Sequence, residues 1–287
     1  MVGKVWHRLR LYWSLIKSLQ TGLLLTTGVV GYLSAGTGGR EHLGTLLGVA
    51  VSLFLAISGS TVLNMWYDRD IDARMQRTCW RPLPAGKIHP TEALILGLVL
   101  SAVGVGWGLL LDVWYGLIVF AGVFFDVIVY TVWLKRRTPW SIVWGGLAGG
   151  MPVLAGRTLG VGGVDAIGVA LAAAILFWIP THILTFAMRY DKDYRHAGVP
   201  TIPARYGFRI TYALVAVSSV LAAATMTWSA WQVGVSAGAM RALLVLSAAL
   251  LLLATTSALR PSNRLNFGLF KYASLYMLSS MVLIAMG

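Results

Sequence analysis

The chain contains very little cysteine and very little acid. Its 287 residues include one cysteine, Cys79, which excludes a disulfide framework and any metal or iron–sulfur centre built on several thiolates. Asp and Glu together number 10, against 23 Lys and Arg. Glycine-rich phosphate loops, dinucleotide fingerprints and nucleophile elbows are also missing from the sequence. The chemistry of this protein therefore has to come from a small number of acidic and basic side chains.

Apolar residues dominate the rest of the sequence. They make up 57% of the chain, and the mean hydropathy is +0.75. A helix needs about 20 apolar residues to cross a hydrocarbon core, and we predict nine such spans in a single all-α membrane domain covering residues 1–287. The spans lie at about 13–35, 44–66, 91–111, 115–134, 141–157, 166–189, 210–232, 240–259 and 267–286. The first apolar run has no small-residue cleavage site after it, so we expect it to be retained as the first helix.

The placement of the basic residues predicts the orientation in the membrane. The net charge is +13, and nearly all Lys and Arg fall in the N-terminal segment and in the loops after the second, fourth, sixth and eighth predicted spans. Basic residues are enriched in cytoplasmic loops. We therefore expect a multi-pass protein of the cell membrane with its N-terminus and these loops in the cytoplasm. Since topology and a local anion site account for the charge, we expect no nucleic-acid partner.

One acidic stretch, residues 64–72, carries oxygen ligands at helical spacing. Asn64, Asp68 and Asp72 are four residues apart, so on a helix they drift by only ~40° per step and form one stripe. Mg²⁺ binds oxygen ligands and usually takes one or two carboxylates together with water and substrate phosphates. A carboxylate in apolar sequence is costly to bury without a partner or a metal. The stripe therefore predicts a Mg²⁺ site for an anionic phosphate compound.

Asp70 points to another side of the same predicted helix. We expect it to form an ion pair with Arg69 or Arg74 and to stay out of the metal site. The alternative for the whole stretch is a solvated helix end with ordinary ion pairs.

Basic residues follow the stripe closely. Arg77 and Arg81 are four residues apart and precede a loop containing proline and glycine that ends at Lys87, a further candidate for binding the substrate. Two guanidinium groups at this spacing are suited to binding a diphosphate in a fork-like manner. The alternative is that these residues, like Lys135 and Arg136 later in the chain, are only topology charges.

A second acidic stretch, residues 190–194, contains Asp191 and Asp193. Because they are two residues apart, they lie ~200° apart around a helix. Either the helix has ended there, or only one of the two carboxylates faces the site. Asp193 is the first choice.

Lys17 and His182 are titratable residues inside predicted spans that we consider as candidates for the site. Lys17 lies in the first apolar run, where an ammonium group is costly unless it reaches the interface or an anion. His182 lies in the sixth span, where it either stays neutral in a packed bundle or contacts a haem or a proton. The sequence leaves both interpretations of His182 open.

Together these motifs resemble the UbiA superfamily of intramembrane prenyltransferases, which carries an Asn-x-x-x-Asp-x-x-x-Asp stretch and a second Asp-rich loop. Within it, the chain is most similar to the haem O synthase family, also called protohaem IX farnesyltransferases. Four stretches carry the likeness: Asn64–Gly86, Tyr130–Arg157, Pro180–His182 and Asp193–Pro203.

The resemblance implies a nine-helix bundle around a central cavity that opens sideways to the lipid and is capped by the cytoplasmic loops. The residues that would hold Mg²⁺ on a prenyl diphosphate are Asn64, Asp68, Asp72 and Asp193, with Asp191 as a further candidate. The cations that would neutralise the diphosphate are Lys17, Arg77, Arg81, Lys135 and Arg136. Aromatic candidates for shielding a carbocation are Trp66, Tyr67, Tyr130 and Tyr190, and His182 would lie towards the haem.

The implied function is Mg²⁺-dependent transfer of a farnesyl or longer prenyl group to a vinyl group of haem B, giving haem O. We expect Asp68, Asp72, Asp193, Arg77 and Arg81 to act in catalysis. The expected partners are a prenyl diphosphate, haem B or another lipophilic acceptor, and the lipid bilayer. One alternative is prenyl transfer to another acceptor, such as a hydroxybenzoate or other aromatic, a chlorophyll-like ring or a glycerol-phosphate lipid. A remote alternative is non-enzymatic ion or metal transport.

Overall fold

The computed structural model describes residues 2–37 and 42–286, and within these residues it contains helices and no strand. In chain order the α-helices are α1 (Val2–Leu15), α2 (Ser18–Leu33), α3 (Leu43–Tyr67), α4 (Arg69–Arg74), α5 (Pro90–Leu111), α6 (Val113–Val123), α7 (Ser141–Val161), α8 (Ala166–Arg189), α9 (Asp191–His196), α10 (Ile202–Val233), α11 (Ala237–Leu259) and α12 (Asn263–Ala285). A π-helix, Phe124–Leu134, continues directly from α6.

Seven helical segments in the described part of the chain are long and apolar enough to cross a membrane. They are Leu43–Tyr67, Pro90–Leu111, Val113–Leu134, Ala166–Arg189, Ile202–Val233, Ala237–Leu259 and Asn263–Ala285. The predicted all-α, polytopic membrane fold is confirmed. The other two predicted spans correspond to α2, which has 16 residues, and α7, a glycine-rich helix of 21 residues. Both pack within the bundle.

The predicted first span is not one continuous helix, so its start near residue 13 is wrong. The chain turns sharply at Lys17, whose φ is 44°. Among the described residues, Lys17 is the single non-glycine residue with a left-handed backbone, a conformation that costs free energy because Cβ approaches the backbone. Thr21 stabilises the turn, since its backbone N–H donates to the carbonyl of Lys17 and its hydroxyl donates to the carbonyl of Ile16.

The turn sets α1 at the surface of the molecule. Trp6 and Trp13 are both more than half exposed on this helix. Arg8 and Tyr12 bind Glu92, at the start of α5, and so hold α1 to the bundle. Aromatic residues exposed beside basic ones are typical of a helix that lies in the membrane interface.

Glycines allow close contact between α2, α7 and α8. A Cβ on Gly156 would overlap the carbonyl oxygen of Gly28, and one on Gly31 would overlap that of Val153. On the other side of α7, a Cβ on Gly150 would lie 2.8 Å from a carbonyl oxygen in α8. Small residues at helix contacts are the usual means of close packing in membranes. These glycines let the backbone of α7 pack directly against the backbones of α2 and α8.

The second half of the span Val113–Leu134 is the π-helix. Its hydrogen bonds join residues five apart, as in the bond of 2.8 Å that the N–H of Lys135 donates to the carbonyl of Tyr130. Such turns are rare and occur frequently at functional sites. Here the π-helix brings Asp126, Thr131 and Lys135 against the end of α3, where the first acidic stretch begins.

Candidate active site

The two acidic stretches meet at one end of the bundle. The first occupies the end of α3 and α4, and the second occupies the end of α8 and α9. The backbone N–H of Arg77 donates to Asp193 at 3.4 Å, across a separation of 116 residues in the chain. Apolar side chains in or just after the two stretches are buried and pack together: Ile71, Met75, Ala197 and Val199. The fold thus forms one site from two distant motifs.

The stripe of oxygen ligands is buried, but it does not lie on one straight helix. α3 ends at Tyr67 and α4 begins at Arg69, with Asp68 between them. The backbone N–H of Asp68 still donates to Asn64, and that of Asp72 donates to Asp68, so the four-residue spacing is kept. Asp68 is 4% exposed and Asp72 is 6% exposed. A solvated helix end therefore does not describe these side chains.

Asp68 has basic partners and one unused oxygen. Its Oδ2 accepts a hydrogen bond from Lys135, and Arg136 lies 3.9 Å from its Oδ1. Burial disfavours the charged form of Lys135, but the adjacent Asp68 carboxylate outweighs this and raises the pKa of Lys135 above its ordinary value. Lys135 therefore stays protonated. Asp68 Oδ1 is buried and has no hydrogen-bond partner, which leaves it for a ligand.

Asp72 is bound by Arg81. The guanidinium Nη1 lies 2.7 Å from Asp72 Oδ2. The hydroxyl of Thr78 donates to the backbone carbonyl of Asp72 at 2.9 Å, which ties the following loop to α4. Lys17 lies within electrostatic range of Asp72, Arg81 and Lys135. Three of the predicted cations, Lys17, Arg81 and Lys135, are thus gathered around the two buried carboxylates.

Asn64 is held by residues of the π-helix. Its Nδ2 donates to Asp126 Oδ2 at 2.8 Å, and its Oδ1 accepts from the hydroxyl of Thr131 at 2.7 Å. Ser60, one turn earlier on α3, also donates to Asp126. Asp126 was not among the predicted site residues. The signal for it was present, because a carboxylate inside an apolar span is costly and marks a candidate functional residue.

Asp70 lies on the outer side of the site. Arg136 donates two hydrogen bonds to its carboxylate, at 2.7 and 2.9 Å, and one to the carbonyl of Tyr67 at 2.9 Å. Arg74 is 4.0 Å from Asp70, whereas Arg69 donates to a backbone carbonyl instead. The expected ion pair exists, but Arg69 as its partner is wrong. The main partner, Arg136, is 66 residues away in the chain, so sequence proximity could not indicate it.

Arg77 lies among aromatic rings and not against the first carboxylates. Its guanidinium carbon is 5.0 Å from the ring centroid of Phe186 and 5.6 Å from those of Tyr190 and Tyr194. Its Nη2 donates to the hydroxyl of Tyr194 at 3.3 Å, and its Nε is buried without a hydrogen-bond partner. Cation–π contacts hold the guanidinium in place. One donor of Arg77 remains unused.

The second acidic stretch contains a helix break. α8 ends at Arg189 and α9 begins at Asp191, so the long helix ends before both carboxylates, while Asp191 and Asp193 lie together on the short helix α9. Asp191 Oδ2 accepts from Arg195 at 2.7 Å, while its Oδ1 is buried without a partner. Asp193 accepts from the backbone of Arg77 and so faces the first stretch.

An aromatic row leads from Arg77 to His182. Phe186, which contacts Arg77, lies 5.5 Å from Phe270 between ring centroids. Phe270 stacks on His182 at 4.6 Å, and Trp178 stacks on the same imidazole at 5.0 Å. We refer to Phe186, Phe270, His182 and Trp178 as the aromatic row. It extends from the acidic end of α8 towards the middle of that helix.

Of the two remaining candidates, Tyr130 borders the site and Lys87 does not. The Nζ of Lys135 is 5.8 Å from the ring centroid of Tyr130, and a Cβ on Gly145 would lie 3.0 Å from this ring, so Tyr130 borders the site against α7. Lys87 is exposed in the loop before α5, and its backbone N–H donates to Pro82 at 2.8 Å. The structure does not bring the Lys87 side chain to the carboxylates.

The donor set suits a metal shared with a phosphate compound. Among the described residues, no three His, Cys, Asp or Glu side chains form a metal site by themselves. Mg²⁺ needs only one or two carboxylates when phosphates and water complete its shell. The candidate ligands are all oxygens, and Asp68 Oδ1 and Asp191 Oδ1 are buried without partners. These observations fit Mg²⁺.

The chain belongs to the UbiA prenyltransferase family, because the sequence model of that family matches residues 23–276. In sequence it is similar to the protoheme IX farnesyltransferase of Archaeoglobus fulgidus. The two are 46% identical over 200 residues, which cover 69% of this chain and 70% of the relative. The predicted family is confirmed.

Solved structures of related proteins share the fold. One described for digeranylgeranylglyceryl phosphate synthase gives a TM-score of 0.80 at 19% identity, with 98% of both chains covered. A UbiA homologue from Archaeoglobus fulgidus bound to GPP and Mg²⁺ gives a TM-score of 0.69 at 16% identity, with 96% of this chain and 99% of that chain covered. At such low identity, these structures establish the fold alone.

Proposed function

We propose that the protein transfers a farnesyl or longer prenyl group from a prenyl diphosphate to a vinyl group of haem B, giving haem O. The Archaeoglobus relative named protoheme IX farnesyltransferase supports haem as the acceptor. The observation that carries the proposal is the aromatic row between the acidic stretches and His182. It connects a site for a metal diphosphate with a histidine suited to haem iron.

The metal would be held by oxygens from both acidic stretches. We assign Asn64, Asp68, Asp72 and Asp193 as its ligands, with Asp191 as a further candidate. The UbiA homologue bound to GPP and Mg²⁺ supports this use of Mg²⁺ with a prenyl diphosphate. When bound, Mg²⁺ supplies positive charge that stabilises the departing diphosphate.

The basic residues supply the rest of the positive charge. Arg81 and Lys135 already lie against the buried carboxylates, Lys17 is nearby, and Arg77 keeps an unused Nε. Cations fixed in a buried site stabilise developing negative charge without reorganisation. They favour cleavage of the C1–O bond, in which the electron pair stays on the diphosphate and an allylic cation remains on the prenyl group.

The aromatic residues are suited to the second half of the reaction. Ring faces attract a cation, and Tyr130, Phe186, Tyr190 and Tyr194 border the site. The vinyl carbon of haem B forms a C–C bond with C1 of the prenyl group. Water then adds to the resulting cation beside the macrocycle and loses a proton, which leaves a hydroxyl group.

His182 is suited to binding the haem. Its ring is fixed between Trp178 and Phe270, and its Nδ1 lies 3.2 Å from Ser274 Oγ. In the tautomer in which Nδ1 donates to Ser274, Nε2 carries the lone pair that binds iron. His182 is one helical turn before Phe186, so a haem at this residue lies next to the aromatic row.

The orientation is also part of the proposal. The basic residues concentrate in the N-terminal segment and around the two acidic stretches. By the enrichment of basic residues in cytoplasmic loops, the N-terminus and the active-site loops face the cytoplasm. Water-soluble diphosphate then leaves towards the cytoplasm, while the lipidic product stays in the bilayer.

Haem binding tests the acceptor directly. We expect haem B added to the detergent-solubilised protein to shift its Soret band, because a histidine binds the iron. His182→Ala should reduce the shift, and His196→Ala, which changes an exposed histidine on α9, should retain it. His182→Ala should also leave Mg²⁺-dependent binding of an unreactive thiolo-diphosphate analogue intact. Absence of a Soret shift, together with prenylation of a phenolic acid, would contradict haem as the acceptor.

A further inference from the structure

Asp126 is a carboxylate that the proposed mechanism leaves without a role. It lies in the π-helical half of the span Val113–Leu134. Its hydrogen-bond donors are neutral groups, the hydroxyl of Ser60 and the amide of Asn64. A carboxylate at membrane depth is expensive and calls for a functional explanation.

The π-helix presents two different groups to Asn64. The carboxylate of Asp126 accepts from Asn64 Nδ2 at 2.8 Å, and the hydroxyl of Thr131 lies 2.7 Å from Asn64 Oδ1. On an α-helix, residues five apart would lie ~140° apart around the axis. In a π-helix, residues five apart are joined by a backbone hydrogen bond, so both side chains reach the same partner. The unusual turn is what makes this pairing with Asn64 available.

An ionised carboxylate accepts hydrogen bonds and donates none. Asp126 therefore binds the NH₂ end of the Asn64 amide and rejects its oxygen. The hydroxyl of Thr131 has one proton and two acceptors within reach, Asn64 Oδ1 at 2.7 Å and the backbone carbonyl of Asp126 at 2.8 Å, so it does not by itself fix the amide. The carboxylate of Asp126 therefore defines the orientation of the amide, in which Oδ1 keeps at least one lone pair free.

We propose that Asp126 is a positioning residue that orients the Asn64 amide so that its oxygen, and not its NH₂ group, is available to Mg²⁺. This inference rests on the proposed role of Asn64 as a metal ligand. An asparagine at position 126 offers an NH₂ group of its own, which stabilises the flipped amide and removes the oxygen from the metal.

The test is metal affinity in Asp126→Asn, a replacement of nearly the same shape. Binding of Mg²⁺ is titrated calorimetrically with the unreactive thiolo-diphosphate analogue present, and Mn²⁺ serves as a spectroscopic probe by EPR. Partners behind a metal ligand typically contribute 10–100-fold to metal affinity, so we expect the Kd for Mg²⁺ to rise by about tenfold or more. Asp126→Ala, which removes the carboxylate without adding a donor, is the second variant and should show a smaller rise.

Ser60→Ala and Thr131→Val are matched controls, because they touch the same network without offering Asn64 a new donor. We expect both to keep the Kd for Mg²⁺ within about twofold of the parent protein, since neither favours the flipped amide. In an Asn64→Ala background, Asp126→Asn should have no further effect, because its action runs through Asn64.

An unchanged Kd for Mg²⁺ in folded Asp126→Asn and Asp126→Ala would overturn this inference. An equal loss in the Asn64→Ala background would overturn it as well, by showing that Asp126 acts through another group. If the parent protein itself binds the analogue without any dependence on Mg²⁺, the result contradicts the proposed function on which this inference rests.

Discussion

At the scale of single residues, the candidate site is arranged as pairs of opposite charge. Asp68 is paired with Lys135, and Asp72 with Arg81, and all four side chains are largely buried. A buried charge pair contributes little net stability, but removing one partner leaves the other uncompensated. A substitution in the site can therefore lower both stability and activity, so folding is measured together with activity for each variant.

Replacing the carboxylates should separate metal ligands from structural ion pairs. We expect Asp68→Ala, Asp72→Ala and Asp193→Ala each to lower turnover by on the order of a hundredfold or more, since each removes charge stabilisation at the departing diphosphate. Asp70→Ala is the matched control, because its side chain is 46% exposed and pairs with Arg136 on the outer side. Its turnover should fall by less than about threefold. Wild-type turnover in Asp72→Ala would contradict the proposal that this stripe of oxygen ligands binds Mg²⁺.

The two arginines should act on the diphosphate. Arg77→Ala and Arg81→Ala are expected to weaken binding of the unreactive thiolo-diphosphate analogue, by about tenfold each if one charge-assisted hydrogen bond is lost. Lysine should not fully restore binding at either position, because it lacks the planar fork of donors.

Arg74→Ala is the control for the arginines, since its side chain is 58% exposed and its ion pair is 4.0 Å long. Calorimetric titration of the analogue gives the comparison. Unchanged affinity for the analogue in both Arg77→Ala and Arg81→Ala would show that these residues do not bind the diphosphate and only help to set the orientation in the membrane.

The sequence identified site residues most readily where the residues that act together are close in the chain. Asn64, Asp68 and Asp72 were predictable from four-residue spacing, and burial of the two aspartates agrees with that interpretation. Asp126 could have been found as a carboxylate inside an apolar span. Its contact with Asn64 and the pairing of Asp70 with Arg136 join residues more than 60 positions apart, and the sequence alone does not reveal such contacts.

At the scale of helices, close packing against α7 fixes the position of Tyr130 and of the π-helix. Gly156→Val should lower the apparent Tm in detergent, because its Cβ overlaps the backbone oxygen of Gly28, which cannot move aside. Overpacking of this kind typically costs about 1–3 kcal/mol. Gly106→Ala, at a helical position with open space around it, is the control and should leave the Tm unchanged or slightly raised. An unchanged Tm in Gly156→Val would contradict the close contact of α2 and α7.

Most helices could be predicted from hydropathy, because a membrane span must be a long apolar run. Two local features could not be predicted from hydropathy. The turn at Lys17 interrupts an apolar run whose composition shows no break, and it is stabilised by Thr21. The π-helix 124–134 differs from an α-helix by its hydrogen-bond spacing. Periodicity of apolar residues does not distinguish the two in a span that is apolar on every side.

At the scale of the whole molecule, the single cysteine reports the orientation. Cys79 is exposed in the loop that follows the first acidic stretch. If this loop is cytoplasmic, a membrane-impermeant maleimide should label Cys79 in inside-out vesicles and not in intact cells. A cysteine at Val164, exposed between α7 and α8 at the opposite end of the bundle, should show the reverse pattern in a Cys79→Ser background. Labelling of Cys79 in intact cells would reverse the proposed topology.

The central claim is Mg²⁺-dependent prenyl transfer to haem, and product analysis tests it most directly. Purified protein is incubated with haem B, farnesyl diphosphate and Mg²⁺, and the haem fraction is analysed by mass spectrometry. The account predicts a product heavier than haem B by the elements of farnesol, one farnesyl group plus one hydroxyl group from water, and predicts its loss on addition of EDTA. Haem B recovered unchanged while a phenolic acid is prenylated under the same conditions, or full product formation in EDTA, would contradict the account.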